Sequence, residues 1–158
     1  MKSSSIQEIK QELGSLKPKE LVDICLRLAK SKKENKELLH FLLFEAHDEA
    51  GFVASVKQEI NEAFAEINTD HWYYAKKGLR KILRIISKHS RHIGSKEGAI
   101  ELLIHFCQEL KTSGIPFYRN KVLENIYDQQ VKKIRTLIKG VHEDMQFDYL
   151  RQVERLEE

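Results

Sequence analysis

The sequence predicts an all-α protein, and three observations carry that expectation. Only two prolines and seven glycines punctuate the 158 residues, whereas strand-rich folds turn often and need such residues at each turn. Apolar residues recur at three- and four-residue spacing through most of the chain. Residues suited to helix starts and stops bracket those periodic runs. About eight helices are expected, paired as stacked antiparallel hairpins. The length suits one domain, 1–158, with 1–15 as an N-terminal helical segment and 141–158 as a C-terminal helix available for oligomerisation.

The first helix follows from Ser5-Ile6-Gln7-Glu8, whose spacing is that of a capping box. Gly14 is placed to end it in the left-handed conformation. Pro18 fits the first turn of a second helix, where its missing N–H has no partner to lose. Leu21, Ile24, Cys25 and Leu28 then mark its apolar side. The stretch ELLHFLLFEA, 37–46, is apolar nearly all round and predicts a helix covered on several sides. Val53, Val56, Ile60, Ala63, Phe64 and Ile67 form a clean seam. The next helix begins near Thr69 and Asp70, either of which suits its cap. Ser95 opens another, carrying Ile100, Leu103, Ile104, Cys107 and Leu110 up to the stop at Gly114 and Pro116. A long helix follows through Leu123, Ile126, Tyr127, Ile134, Leu137 and Val141, with Gly140 as its break. Met145, Tyr149, Val153 and Leu156 mark the last.

LVDICLRLAK and KENKELLHFLL, 21–43, align with LRKILRIISK and KEGAIELLIHF, 79–106, and matching the ELL tripeptides at 37–39 and 101–103 takes six extra residues in the second copy. A repeat of helical hairpins stacks so that each unit covers its neighbour's apolar face. The architecture expected is therefore an irregular bundle or a short HEAT-like α-solenoid. The tetratricopeptide pattern W-x2-L-G-x2-Y is absent.

Charge is distributed unevenly. The formal net charge is +3, yet the stretch 72–96, WYYAKKGLRKILRIISKHSRHIGSK, holds eight Lys or Arg and no Asp or Glu. Without those eight, 19 basic residues face 24 acidic ones, a balance of −5. Such asymmetry bears on binding, not on fold. On a helical wheel Trp72, Ala75, Leu79, Ile82, Leu83 and Ile86 share one side. Lys77, Arg80, Lys81, Arg84, Lys88 and Arg91 take the other, joined by Tyr73. Two readings compete. A charged side opposite an apolar one describes any surface helix, and Glu59, Glu62 and Glu66 on the preceding helix suit pairing with Lys76 or Lys81. Against this, Lys77, Arg80, Arg84, Lys88 and Arg91 point away from the core, suited to phosphates, with Tyr73 placed to stack on a base.

Other chemistry is sparse. His47-Asp48 follows His40 by seven residues. The dipeptide resembles the metal-binding step of HD-domain phosphohydrolases, which are also all-helical and use a metal to activate water. This chain departs from that pattern, because those enzymes carry a first His far upstream and a further Asp downstream. A core role for His40 and a helix end at His47-Asp48 are the plainer expectations. His89 and His92 lie one turn apart among cations that disfavour a divalent metal. Cys25 and Cys107 have no metal-ligand spacing and sit among Leu and Ile as small hydrophobes. No phosphate-binding, nucleophile-elbow or zinc-protease motif is present. No apolar run approaches the roughly 20 residues of a membrane span, and the N-terminus lacks the apolar region of a secretory signal.

The expectation is a cytoplasmic, non-enzymatic interaction or scaffold module without cofactor or metal, binding a macromolecular partner. Nucleic-acid binding through Tyr73, Lys77, Arg80, Arg84, Lys88 and Arg91 is the alternative, and an HD-like hydrolase a remote one. The partner is a protein or a nucleic acid and not a membrane, and self-association through the C-terminal helices is a further option.

Overall fold

Capping chemistry sets most helix boundaries in the computed structural model, which describes residues 2–158. Ser5 and Glu8 close the expected capping box on α1 (Ile6–Gly14): the Glu8 N–H donates to Ser5 Oγ at 3.2 Å, and the Ser5 N–H to Glu8 Oε2 at 2.6 Å. Pro18 opens α2 (Pro18–Ser31) and is followed by α3 (Lys33–His40). A π-helical turn (Phe41–Glu45) and a 3-10 turn (Ala46–Asp48) lead to α4 (Glu49–Ala65). Then come α5 (Trp72–Ile93), α6 (Lys96–Thr112), α7 (Lys121–Ile138) and α8 (Glu143–Glu157), with a 3-10 turn (Phe117–Arg119) before α7. The chain is all-helical, with no strand among the described residues.

Several boundaries differ from expectation for identifiable reasons. Gly14 is not left-handed; α1 leaves through Ser15 at φ −91°, whose N–H returns to the Glu12 and Leu13 carbonyls. The glycines with positive φ are Gly94 (73°) and Gly114 (79°), at the ends of α5 and α6. The cap of α5 is neither Thr69 nor Asp70. The Asp70 N–H is taken by Asn68 Oδ1 at 2.9 Å, and His71 Nδ1 accepts from the Tyr73 N–H at 3.2 Å. The 37–46 stretch is not one covered helix: only Phe41 is buried there, and Leu42, Leu43 and Phe44 are exposed along the π turn.

Contacts divide the chain into two compact units, Met1–Phe44 and Glu45–Glu158. The first unit pairs α2 with α3. The Asn35 side chain fastens that turn, donating to the Leu28 carbonyl at 2.9 Å and to Ser31 Oγ at 3.2 Å. The apolar side of α2 is not a core, since Ile24, Cys25 and Leu28 are exposed.

The second unit carries the core. Val53, Val56 and Ile60 of α4 are buried with Leu79, Ile82 and Ile86 of α5, as the seams require. Leu103, Phe106, Cys107 and Leu110 of α6 and Ile134 and Ile138 of α7 complete its centre. Helix directions follow from the residues that meet. Phe52 edges His89 at a ring-centroid separation of 5.5 Å, while a Cβ at Gly78 would fall 2.7 Å from Ile67 Cγ1. Thus α5 runs back along α4. Lys57 meets Glu101 at 3.3 Å and Asn61 meets His105 at 2.6 Å, so α6 runs parallel to α4. The Tyr127 hydroxyl donates to the Leu156 carbonyl at 2.6 Å, and Lys111 donates to the Arg155 and Leu156 carbonyls at 3.2 and 3.1 Å. These bonds occupy carbonyls that a helix end otherwise leaves open. Tyr149, Val153 and Leu156 of α8 are thereby buried within this unit, while Phe147 is exposed.

Candidate functional site

The basic side of α5 keeps its wheel geometry in three dimensions. Ala75, Leu79, Ile82 and Ile86 are buried, and Lys77, Arg80, Lys81, Arg84 and Arg91 are exposed, with Lys88 half-buried. At 100° per residue, Tyr73, Arg80, Arg84 and Arg91 fall within about 40° of one another. They form a straight stripe about 27 Å long. The reason is the sequence period: an apolar residue at nearly every third or fourth position fixes one side to the core, so the cations between them must face out.

The acidic neighbour does not neutralise the stripe. Glu59 pairs with His89 instead, at 2.9 Å, and Glu62 accepts from Gln58 Nε2 at 3.2 Å. Among the described residues, no carboxylate lies within 4.0 Å of Lys76, Lys77, Arg80, Lys81 or Arg84. The expected Lys76 and Lys81 pairs are therefore absent, because α5 presents His89, on its opposite side, to α4. Lys76 turns to aromatic rings, with Nζ 5.3 Å from the Trp72 centroid and 4.6 Å from that of Tyr73. Lys77 Nζ lies 4.7 Å from the Tyr73 centroid. Tyr73 is 41% exposed, but a base stacking on it must displace one of these ammoniums. Arg91 is held by Ser87, whose Oγ accepts from Nη1 at 3.0 Å.

Beside the stripe, α5, α6 and α7 enclose a groove of about 530 Å³. Its floor is apolar, formed by Leu83, Ile86, Leu103 and Leu137, and its rim carries Ser87, Ser90, Arg91, Gln129, Gln130 and Lys133. None of its lining residues is acidic. The α7 members of this rim were not singled out from the sequence. In the chain they read as an ordinary wet helix side, and only packing against α5 sets them opposite Arg91.

The remaining titratable groups have structural surroundings. Asp48 caps α4, accepting from the Gly51 N–H at 3.0 Å, and His47 lies exposed on the turn before it. The His-Asp dipeptide is thus a helix start, and no cluster of three or more His, Cys, Asp or Glu residues is placed to hold a metal among the described residues. His40 is exposed rather than in a core, its ring 5.1 Å from that of Phe44. Burial pushes the Cys107 thiol up to about 12. His105 is held below its ordinary value by desolvation, which the Glu109 carboxylate opposes; the Lys57 charge adds to the lowering, and a backbone hydrogen bond to Lys57 works against it. No described helix is long and apolar enough to cross a membrane.

No family model, curated protein or solved structure matches the chain significantly.

Proposed function

We propose that this chain is a non-enzymatic helical interaction module whose 45–158 unit holds a nucleic-acid backbone along the exposed stripe of α5. One observation carries the reading: Lys77, Arg80 and Arg84 project from one side with no carboxylate in reach among the described residues. Cations paired in place would cost a phosphate ligand the breaking of those pairs, whereas Arg80 and Arg84 need lose only water and counterions, and Lys77 in addition its contact with the Tyr73 ring. Arg80 and Arg84 suit phosphate oxygens because the guanidinium fork presents several donors in a plane. Arg91 and Lys88 extend the stripe toward the C-terminal end of α5. In this reading α4 to α8 act as a short stack of helical hairpins, a rigid support that holds the stripe straight.

The test is fluorescence anisotropy of labelled RNA and DNA at about 50 and about 200 mM salt. Neutralising three or four phosphates weakens binding about 10- to 100-fold across that range. The Lys77→Glu/Arg80→Glu/Arg84→Glu variant, with unchanged helicity, is expected to lose binding. Equal binding by the variant ends the proposal.

A protein partner is the second reading, favoured by the exposed Val22, Leu26 and Leu28 of α2 and by Leu42, Leu43 and Phe44. Apolar binding of that kind holds at moderate salt, which separates it from the first reading.

A further inference from the structure

We propose that the groove between α5, α6 and α7 takes one unpaired nucleotide of a single-stranded nucleic acid, with the base on the apolar floor and its phosphate between Arg91 and Lys133. The inference rests on the nucleic-acid reading and adds to it a choice of strand. The groove volume of about 530 Å³ lies in the range of small-ligand sites, about 300–1,000 Å³. A surface that only grips phosphates has no use for an apolar floor, yet Leu83, Ile86 and Leu103 line the same groove as Arg91 and Lys133. A duplex hides the faces of its bases, so only an unpaired base can lie on that floor.

The rim supplies what a base edge needs. The Gln129 side chain is exposed on α7 and offers both an amide donor and an acceptor. Gln130 donates Nε2 to the Ile126 carbonyl at 3.3 Å, which leaves its oxygen to accept from an exocyclic amine. The Ser87 hydroxyl orients the Arg91 guanidinium at the groove mouth, and Lys133 is exposed across from it. Arg80 and Arg84 share the wheel direction of Arg91, so phosphates on one side of the bound nucleotide track back along α5. A purely acidic peptide would engage the same cations and leave floor and amides unused.

The full chain is titrated against labelled oligouridylate and against an RNA duplex of the same length, at about 50 mM salt. The single strand is expected to bind about tenfold more tightly. Ser90→Phe fills the groove from its half-exposed wall; it should lower single-strand affinity about tenfold and leave duplex affinity unchanged. Gln129→Ala, at an exposed site with no packing to disturb, decides the matter if the phenylalanine variant does not fold. It should narrow the strand preference severalfold. Equal affinity for the two strands, or wild-type behaviour in both groove variants, overturns the groove assignment while leaving the stripe reading intact. Binding of polyglutamate that Ser90→Phe weakens equally also overturns it. Absence of any nucleic-acid binding at low salt removes the underlying reading, and the groove assignment with it.

Discussion

Cys25 and Cys107 carry the same thiol in opposite surroundings. Cys107 is buried in the centre of the 45–158 unit, where desolvation pushes its pKa up to about 12. Cys25 is exposed on α2. Thiolate is the reactive form and needs access as well as charge, so a thiol reagent at neutral pH is expected to modify Cys25 alone in the native protein. Both should react once denaturant is added, and mass spectrometry of the two peptides reads the result directly. Rapid native labelling of Cys107 would mean that its core opens readily. His105 gives a second prediction at this scale. Its Nε2 lies 2.6 Å from Asn61 Oδ1 in a half-buried site, and its folded pKa is lowered from the ordinary 6.5. The unfolded chain then binds the proton more readily than the folded one. The contribution of the neutral ring to stability is complete above about 6.5 and is lost as pH falls through the lowered folded value. Denaturant midpoints measured down that range should fall more in the wild type than in His105→Gln, which keeps a hydrogen-bonding side chain without the titration. Parallel pH profiles would remove His105 as the cause.

Among the elements, α5 shows how far sequence pattern reaches and where it stops. Its buried and exposed sides were legible because a helix turns every 3.6 residues, so the spacing of Leu79, Ile82 and Ile86 already fixes which side meets the core. The same logic exposed Arg80 and Arg84. The partner of His89 was not legible, because Glu59 lies 30 residues earlier and periodicity on one helix carries no information about which neighbour it meets. The groove was hidden for the same reason: Gln129 and Lys133 belong to another helix and gain meaning only across from Arg91. Exposure of the apolar side of α2 was missed because Ile24 and Leu28 have the same spacing as a core seam. The end of α5 offers a direct test of local structure. Gly94 sits at φ 73° with no atom near a built Cβ, and its N–H donates to the Ser90 carbonyl at 3.0 Å. Space is therefore not the obstacle to a side chain there; the left-handed backbone is. Gly94→Ala should lower stability by about 1 kcal/mol, read as a lower denaturant midpoint with an unchanged slope. Gly14→Ala, at the end of α1 without positive φ and without crowding, should be neutral or slightly stabilising, since alanine is the better helix former.

At the scale of the whole molecule the uneven distribution of burial decides what each unit can do alone. Among the described residues, every buried hydrophobic one except Phe41 lies in 45–158. Burial of apolar area is the main force that offsets the entropy of ordering a chain, so a chain of 45–158 is expected to fold by itself with a cooperative melt. Residues 1–44 bury almost nothing and contain helices of 9, 14 and 8 residues, lengths at which isolated helices are marginal in water. As a separate peptide this segment should show weak, gradually melting helicity by circular dichroism. The candidate interface lies wholly in the larger unit, on α5, α6 and α7, and it should survive the truncation with its salt dependence unchanged. Loss of cooperative folding in 45–158 would mean that the N-terminal helices supply contacts its core requires. Intact folding with loss of nucleic-acid binding would move the binding surface into 1–44, where the exposed side of α2 then becomes the surface to mutate.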